Sequence, residues 1–180
     1  MHDIKINSVT GSEIVTTQDV KDFVRIDTSS DDAIIGRMII AARTWCENYI
    51  GRDIVAKNRT FYLEEVDQRF TLPFSPIASI SSVTSKGTDI SYDSYGLDDK
   101  IIEIGSLPAD EVKVTYITTG ITDDLIKEAI LHLVSTYYDN RADFKVGDSI
   151  SEIPTSTKNI LQSFKSMYFC LTGVIKSNST

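Results

Sequence analysis

Hydrophobic residues recur every three or four positions in four separate stretches of the chain, and this spacing predicts four amphipathic helices. The clearest stretch is the second, where apolar side chains alternate three- and four-residue steps at Ile35, Met38, Ala42, Trp45 and Tyr49. Gly51 follows it, where a left-handed C-terminal cap belongs. Thr16 or Thr17 can cap the first helix, and Thr122 the third. We predict helices over about 17–26, 31–50, 123–142 and 155–170.

Between residues 58 and 118 the pattern changes to alternating or β-branched runs separated by turn residues. Lys86-Gly87 is typical of a hairpin turn, and Asp98-Asp99 indicates a second turn. Five or six short antiparallel strands are expected in this stretch. The sequence thus predicts one α+β domain over 1–180. It has a four-helix core of two N-terminal and two C-terminal helices, an antiparallel β insertion at about 58–118, and a C-terminal tail at 169–180.

Charge is distributed unevenly along the 180-residue chain, whose net charge is −8. From Thr88 to Asp124 nine acids stand against two lysines, whereas Ile153–Thr180 holds three lysines and no acid. Binding to nucleic acid needs clustered lysine and arginine to neutralise phosphates, and an acidic chain fits that poorly. The opposite charges of the two regions indicate an assembled protein with distinct surfaces.

The composition, with 41% hydrophobic and 24% charged residues, is that of an ordinary soluble globular protein. No apolar run reaches the roughly 18 residues that span a bilayer, and the N-terminus lacks the pattern of a secretory signal. Cys46 and Cys170 lie in apolar helical contexts without metal-ligand spacing, so we expect buried thiols in a reducing cytoplasm.

The stretch "HLVSTYYDNRADF", residues 132–144, has the side chains of a catalytic constellation. On a helical wheel, however, His132 faces away from the apolar stripe that Tyr137 joins, and Arg141 follows near the helix end. Three acidic pairs leave a carboxylate-dependent hydrolase as an alternative: Asp31-Asp32, Asp98-Asp99 and Asp123-Asp124. Such an enzyme requires that acids from different elements converge in one pocket. Two of these pairs lie at predicted helix N-termini, where acids are expected anyway. No catalytic residue, metal site or cofactor is predicted, and an enzyme is not expected.

Four stretches, in order, resemble the head–tail connector proteins of tailed phages, also called adaptor or head-completion proteins. They are "TTQDVKDFVRIDTSSDDAIIGRMIIAARTWCENYIGR", "LPFSPIASISSVTSKG", "VKVTYITTGITDDLIKEAILHLVSTYYDNR" and "IPTSTKNILQSFKSMY". The third contains the structural signature of the family, here Tyr138, Asn140 and Arg141. The first thirteen residues, "SYDSYGLDDK" and the tail after Tyr168 depart from the family pattern.

The resemblance implies a structural role in the virion neck, at the head–tail interface, after synthesis in the host cytoplasm. Such proteins form a ring, here expected to hold 12 copies, beneath the portal protein. The ring extends the channel through which genomic DNA passes without specific binding, and it carries the next neck or tail component, a stopper or tail-completion protein. No membrane partner is implied.

The resemblance also implies that the C-terminal end docks on the portal. The expected docking residues are Lys165, Tyr168, Phe169, Leu171, Val174, Ile175 and Lys176. A second neck or tail-completion protein of the same fold remains an alternative to the connector.

Overall fold

The computed structural model describes residues 2–106, 108–140 and 155–166, which contain four helices and eight strands. The prediction of a mixed fold with four helices and antiparallel sheet is confirmed. The described residues form two compact units. One is helical and is built from Glu13–Ile50 together with the described part of 122–165. The other holds the strands and is built from residues 2–12, 51–121 and Ser166.

The helices of the helical unit are α1 (Thr17–Val24), α2 (Asp32–Ile50), α3 (Asp124–Asp139) and α4 (Thr155–Gln162). Thr16 caps α1 in a capping box, because its side chain accepts from the Asp19 amide while the Asp19 carboxylate accepts from the Thr16 amide. Gly51 has a φ of 68°, the left-handed geometry predicted for it. The predicted cap of α3 was wrong by one residue. Asp123, rather than Thr122, accepts a hydrogen bond from the Leu125 amide at 2.8 Å.

The core of the helical unit lies mainly along one face of α2 and one face of α3. The buried apolar side chains of these faces are Ile35, Ile39, Ala42, Cys46 and Ile50 on α2, and Ile126, Ala129, Ile130, Leu133 and Val134 on α3. Trp45 and Tyr49, predicted on the buried stripe of α2, are only half-buried, as is Tyr137 on α3. These aromatic residues lie beside the core stripe, where a ring packs while its polar atom stays accessible.

The second unit contains a five-stranded antiparallel sheet and a three-stranded one. The first has the order β1 (His2–Val9), β2 (Lys57–Glu65), β8 (Asp110–Thr118), β4 (Ile77–Ser85), β5 (Thr88–Asp89). The second has the order β3 (Arg69–Thr71), β7 (Ile101–Ile104), β6 (Tyr92–Tyr95). Their shared core includes Phe61, Leu72, Ile102, Val114 and Tyr116.

Both predicted turns lie in hairpins. β4 and β5 pair through Ser85 and Thr88, so that Lys86 and Gly87 form the turn, both with positive φ. Asp98 and Asp99 lie in the loop that joins β6 to β7. The Lys86-Gly87 turn could be predicted because left-handed two-residue turns have strong local sequence preferences.

Seven strands, rather than five or six, lie between residues 57 and 118, and β1 was not predicted at all. β1 pairs with β2 in an antiparallel register that sets Ile4 opposite Phe61. Most of its residues are exposed, because it is an edge strand in which only Ile4 is half-buried. A strand with so little buried surface carries a weak alternation signal.

Candidate functional site

The described end of the C-terminal region is anchored on an aromatic surface of α2. The Trp45 and Tyr49 rings stack at 5.0 Å, one helical turn apart. The Tyr49 hydroxyl donates to Gln162 of α4 at 3.3 Å, and the Lys165 ammonium lies 4.2 Å from the centre of the Tyr49 ring. A cation over an aromatic face is attracted by the ring quadrupole. These contacts hold Gln162 and Lys165 against α2.

Of the seven predicted docking residues, only Lys165 belongs to the described chain. Its ammonium contacts Tyr49 within the same unit. Tyr168, Phe169, Leu171, Val174, Ile175 and Lys176 lie outside the described residues. Portal docking by this segment therefore stays a prediction.

Tyr138 and Asn140 of the predicted structural signature lie at the end of α3. The Tyr138 hydroxyl donates to the Asp31 carboxylate at 2.7 Å and so ties the end of α3 to the start of α2. Asn140 is the C-cap residue, and both its backbone amide and its side-chain amide donate to the Thr136 carbonyl, at 3.1 and 2.9 Å. Arg141 lies outside the described residues.

His132 points to the side of α3 away from the apolar stripe, as the helical wheel predicted. Its Nε2 lies 3.3 Å from the Glu128 carboxylate, and its ring packs edge-on against Phe23 at 5.4 Å. Both neighbours belong to the surface of the helical unit. The arrangement is an ordinary polar contact and ring contact at the surface.

The acidic pairs serve local structure. Asp31 accepts the hydrogen bond from Tyr138, and Asp32 lies 3.2 Å from the Lys21 ammonium. Asp123 caps α3, and Asp99 lies 3.6 Å from the Arg52 guanidinium. Across the described residues, no group of three or more His, Cys, Asp or Glu side chains could hold a metal ion.

Asp53 is the centre of a buried network that the sequence-based prediction missed. Its carboxylate, 0% exposed, accepts hydrogen bonds from Lys57 Nζ at 2.9 Å, from two nitrogens of Arg59 at 2.6 and 2.8 Å, and from the Thr118 hydroxyl at 2.9 Å. The Arg59 guanidinium also stacks on Phe74 at 3.9 Å. A signal was present in the sequence, because Lys57 and Arg59 alternate in phase with the buried Phe61. Charges at core-facing positions of a strand require buried partners.

A second missed network fixes α2. Arg43 is 5% exposed and is held by Glu47 at 2.7 Å and by Glu13 at 2.9 Å. Burial alone would lower the pKa of Arg43, but the two carboxylates together raise it, so the guanidinium stays charged. Burial, followed by the charge of Glu47, raises the pKa of the adjacent Cys46 thiol to about 12. Cys46 is therefore a packing residue, as predicted, and its thiol is unreactive.

The polar groups that the sequence singled out thus act as caps, ion pairs and anchors, which is the pattern of a structural protein. The described residues include no helix long and apolar enough to cross a membrane. The model of the head completion protein family matches residues 13–167, and the chain belongs to this family. The family is structural, so the chain is a head–tail connection protein and not an enzyme, as predicted from the resemblance.

Solved structures of phage-like particles share this fold. A chain from the virion of a native gene transfer agent particle superposes with a TM-score of 0.72 at 15% identity, over 91% of this chain and 95% of that one. A chain from the neck of an empty gene transfer agent particle, computed with C6 symmetry, has a TM-score of 0.71 at 16% identity, over 92% of this chain and 96% of that one. A chain from the neck of a native gene transfer agent particle, computed with C12 symmetry, has a TM-score of 0.69 at 16% identity, over 93% of this chain and 96% of that one. No curated protein sequence matches the chain.

Proposed function

We propose that this head completion protein forms a ring of twelve copies in the neck of a tailed phage or phage-like particle. The ring lies directly beneath the portal, extends the DNA channel and carries the next neck component. The observation that supports this most is the family match over residues 13–167, together with the likeness to chains from particle necks computed with C6 and C12 symmetry. We place the helical unit at the core of each subunit, with the β unit as an insertion into it.

The charge of the chain suits a channel wall. A wall that binds phosphates would slow DNA, because each neutralised phosphate adds to affinity through counterion release. A net charge of −8 opposes such binding. The proposed role therefore needs no DNA-binding site, and passage is nonspecific.

The C-terminal segment is the proposed portal-docking element. Its apolar residues, Phe169, Leu171, Val174 and Ile175, would fill a pocket on the portal, while Lys165 and Lys176 steer it toward an acidic surface. The anchoring of Lys165 over Tyr49 supports this proposal, since it gives the segment a defined point of departure.

Electron microscopy of the protein mixed with its cognate portal tests the ring. We expect added twelve-fold density at the narrow end of the portal, and portal particles without that density would overturn the proposal. Density at another position in the neck would favour the alternative, a different neck or tail-completion protein of the same fold.

Two sets of variants test the docking segment. Serine at the four apolar positions should increase the dissociation rate from the portal, because the anchor is lost. Glutamine at Lys165 and Lys176 should slow association and weaken its dependence on salt. Portal binding that is unchanged after deletion of residues 169–180 would remove the segment from the proposal.

A further inference from the structure

We propose that the tip of the β6–β7 hairpin, formed by Tyr95, Leu97 and Ile101, docks on the exposed face of α2 in a second copy of this chain, around Arg37 and Ile40. The inference rests on the proposed ring, because it assigns the contact between neighbouring subunits. It concerns surfaces that the family match does not assign.

Three large apolar side chains are exposed at the hairpin tip within seven residues. Leu97 is 89% exposed, Tyr95 48% and Ile101 40%. Tyr95 pairs directly with Ile101 across the two strands, so their side chains share the outward face of the small sheet. Leu97 follows two residues later in the connecting loop. A compact exposed apolar cluster of this kind marks an interaction surface.

The loop that carries Leu97 is held in place by hydrogen bonds to its backbone carbonyls. Lys100 Nζ donates to the Gly96 carbonyl at 2.7 Å, and the Ile77 amide donates to the Asp98 carbonyl at 2.9 Å. Gly96 has a φ of 97°, and a Cβ there would collide with the Asp99 carbonyl. A side chain on a fixed loop loses little conformational entropy when it binds, so Leu97 is a preorganised anchor.

The surroundings of the tip select for a basic partner. Asp93, Asp98 and Asp99 flank the apolar residues, against Lys100 within the loop and Arg52, which pairs with Asp99 at 3.6 Å, so the rim keeps a net negative charge. Arg69 does not offset these acids, because it is paired with Glu103 at 2.9 Å. An apolar patch with an acidic rim is complementary to an apolar patch that carries a positive charge.

The exposed face of α2 has that composition. Its exposed residues are Ala33, Arg37, Ile40, Ala41, Thr44 and Asn48, so Arg37 is the only charge on the face. Ile40 is 50% exposed, and the Thr44 hydroxyl is satisfied by the Ile40 carbonyl at 2.7 Å. A helix face that remains in solvent normally carries charged and polar residues, whereas half of this face is alanine and isoleucine. The face therefore fits a role as a protein contact.

A closed ring of identical subunits explains why the two surfaces differ. Each subunit in a ring contacts its neighbours through two distinct, complementary patches. Two acidic tips would repel each other, whereas the acidic tip and the Arg37 surface attract. The second copy of the chain is thus the occupant that both surfaces fit.

Directed disulfide formation tests the contact in the full-length chain. In a Cys170→Ser background, Leu97→Cys protein is mixed with Ile40→Cys protein under mild oxidation, both alone and with portal rings. Leu125→Cys is the matched control, because Leu125 is 54% exposed and belongs to neither surface. We expect the yield of the disulfide between positions 97 and 40 to exceed the yields of the 97–97, 40–40 and 97–125 disulfides several-fold. Equal yields, or no 97–40 link in rings formed on the portal, would overturn the inference.

Charge reversal provides a second measurement that does not depend on cysteine geometry. Asp98→Lys should weaken self-association about tenfold or more, and Arg37→Glu should restore it when both reversals are present. Leu97→Ser should weaken it as well, while Leu125→Ser leaves it unchanged. Rings that persist with both Leu97→Ser and Asp98→Lys would refute this interface but not the ring itself. Failure of the wild-type chain to form rings on the portal would instead refute the proposed function.

Discussion

Replacement of Asp53 by asparagine is expected to lower the free energy of unfolding by about 3–5 kcal/mol, the usual cost of removing one partner from a buried ion pair. The Asp53 carboxylate accepts four hydrogen bonds, three of them from the cationic groups of Lys57 and Arg59. An amide keeps one acceptor oxygen but places a donor either against Arg59 and Thr118 or against Lys57 and Arg59. Two buried cations then lose their countercharge where solvent cannot replace it.

Urea denaturation followed by circular dichroism measures the loss. For a slope of about 1–3 kcal/mol/M, the midpoint should fall by about 2 M. Asp99→Asn is the matched control, because Asp99 forms only a 3.6 Å ion pair with Arg52 and its side chain is 50% exposed. Its cost should stay within about 1 kcal/mol.

Two results would contradict the argument. One is a cost for Asp53→Asn no larger than that for Asp99→Asn. The other is an unchanged cost when Asp53→Asn is combined with Lys57→Met and Arg59→Met. If the penalty comes from uncompensated buried charge, replacement of the cations by apolar side chains should recover part of it.

Three further predictions concern the helical unit. Tyr138→Phe should cost about 0.5–1.5 kcal/mol in urea denaturation, because the 2.7 Å bond to Asp31 is lost while the ring remains; no cost would show that this bond is dispensable. The side-chain and backbone hydrogen bonds from Thr16 lower the pKa of Asp19, so its contribution to stability is present above the unfolded pKa and is lost as pH falls. The stability gap between wild type and Asp19→Asn should therefore shrink from pH 6 to pH 3, and a constant gap would argue against the capping box. Cys46 has a pKa of about 12, so in a Cys170→Ser background it should react with iodoacetamide at pH 8 only after the chain is unfolded. Rapid labelling of the native chain would contradict the burial of Cys46.

The features that could be predicted from the sequence are those that depend on neighbours in the chain. The cap at Thr16, the left-handed Gly51 and the Lys86-Gly87 turn each follow from a few adjacent residues. The same holds for the apolar stripes of α2 and α3, whose spacing is intrinsic to a helix. The four helices and the antiparallel sheet follow from these local rules.

The features that were missed depend on partners distant in sequence. Thr118 meets Asp53 across 65 positions, and Glu13 meets Arg43 across 30, so no local pattern links them. β1 was missed because it pairs with β2 across 48 to 61 residues of sequence and buries little apolar surface. The docking residues after Ser166 were assigned by resemblance, and they stay predictions.

The position of β1 at a sheet edge affects where the chain can be truncated or joined to a tag, and which part of the fold can vary in evolution. β1 ends at Val9, ahead of the family match that begins at residue 13, and it forms an edge of the larger sheet. Truncation before Gly11 would uncover the backbone of β2 along its length, and an uncovered edge strand is a template for aggregation. An expression tag is therefore better joined ahead of β1 than substituted for it. A strand added at an edge leaves the register of the other strands unchanged, so such an addition can be gained or lost in evolution without redesign of the sheet.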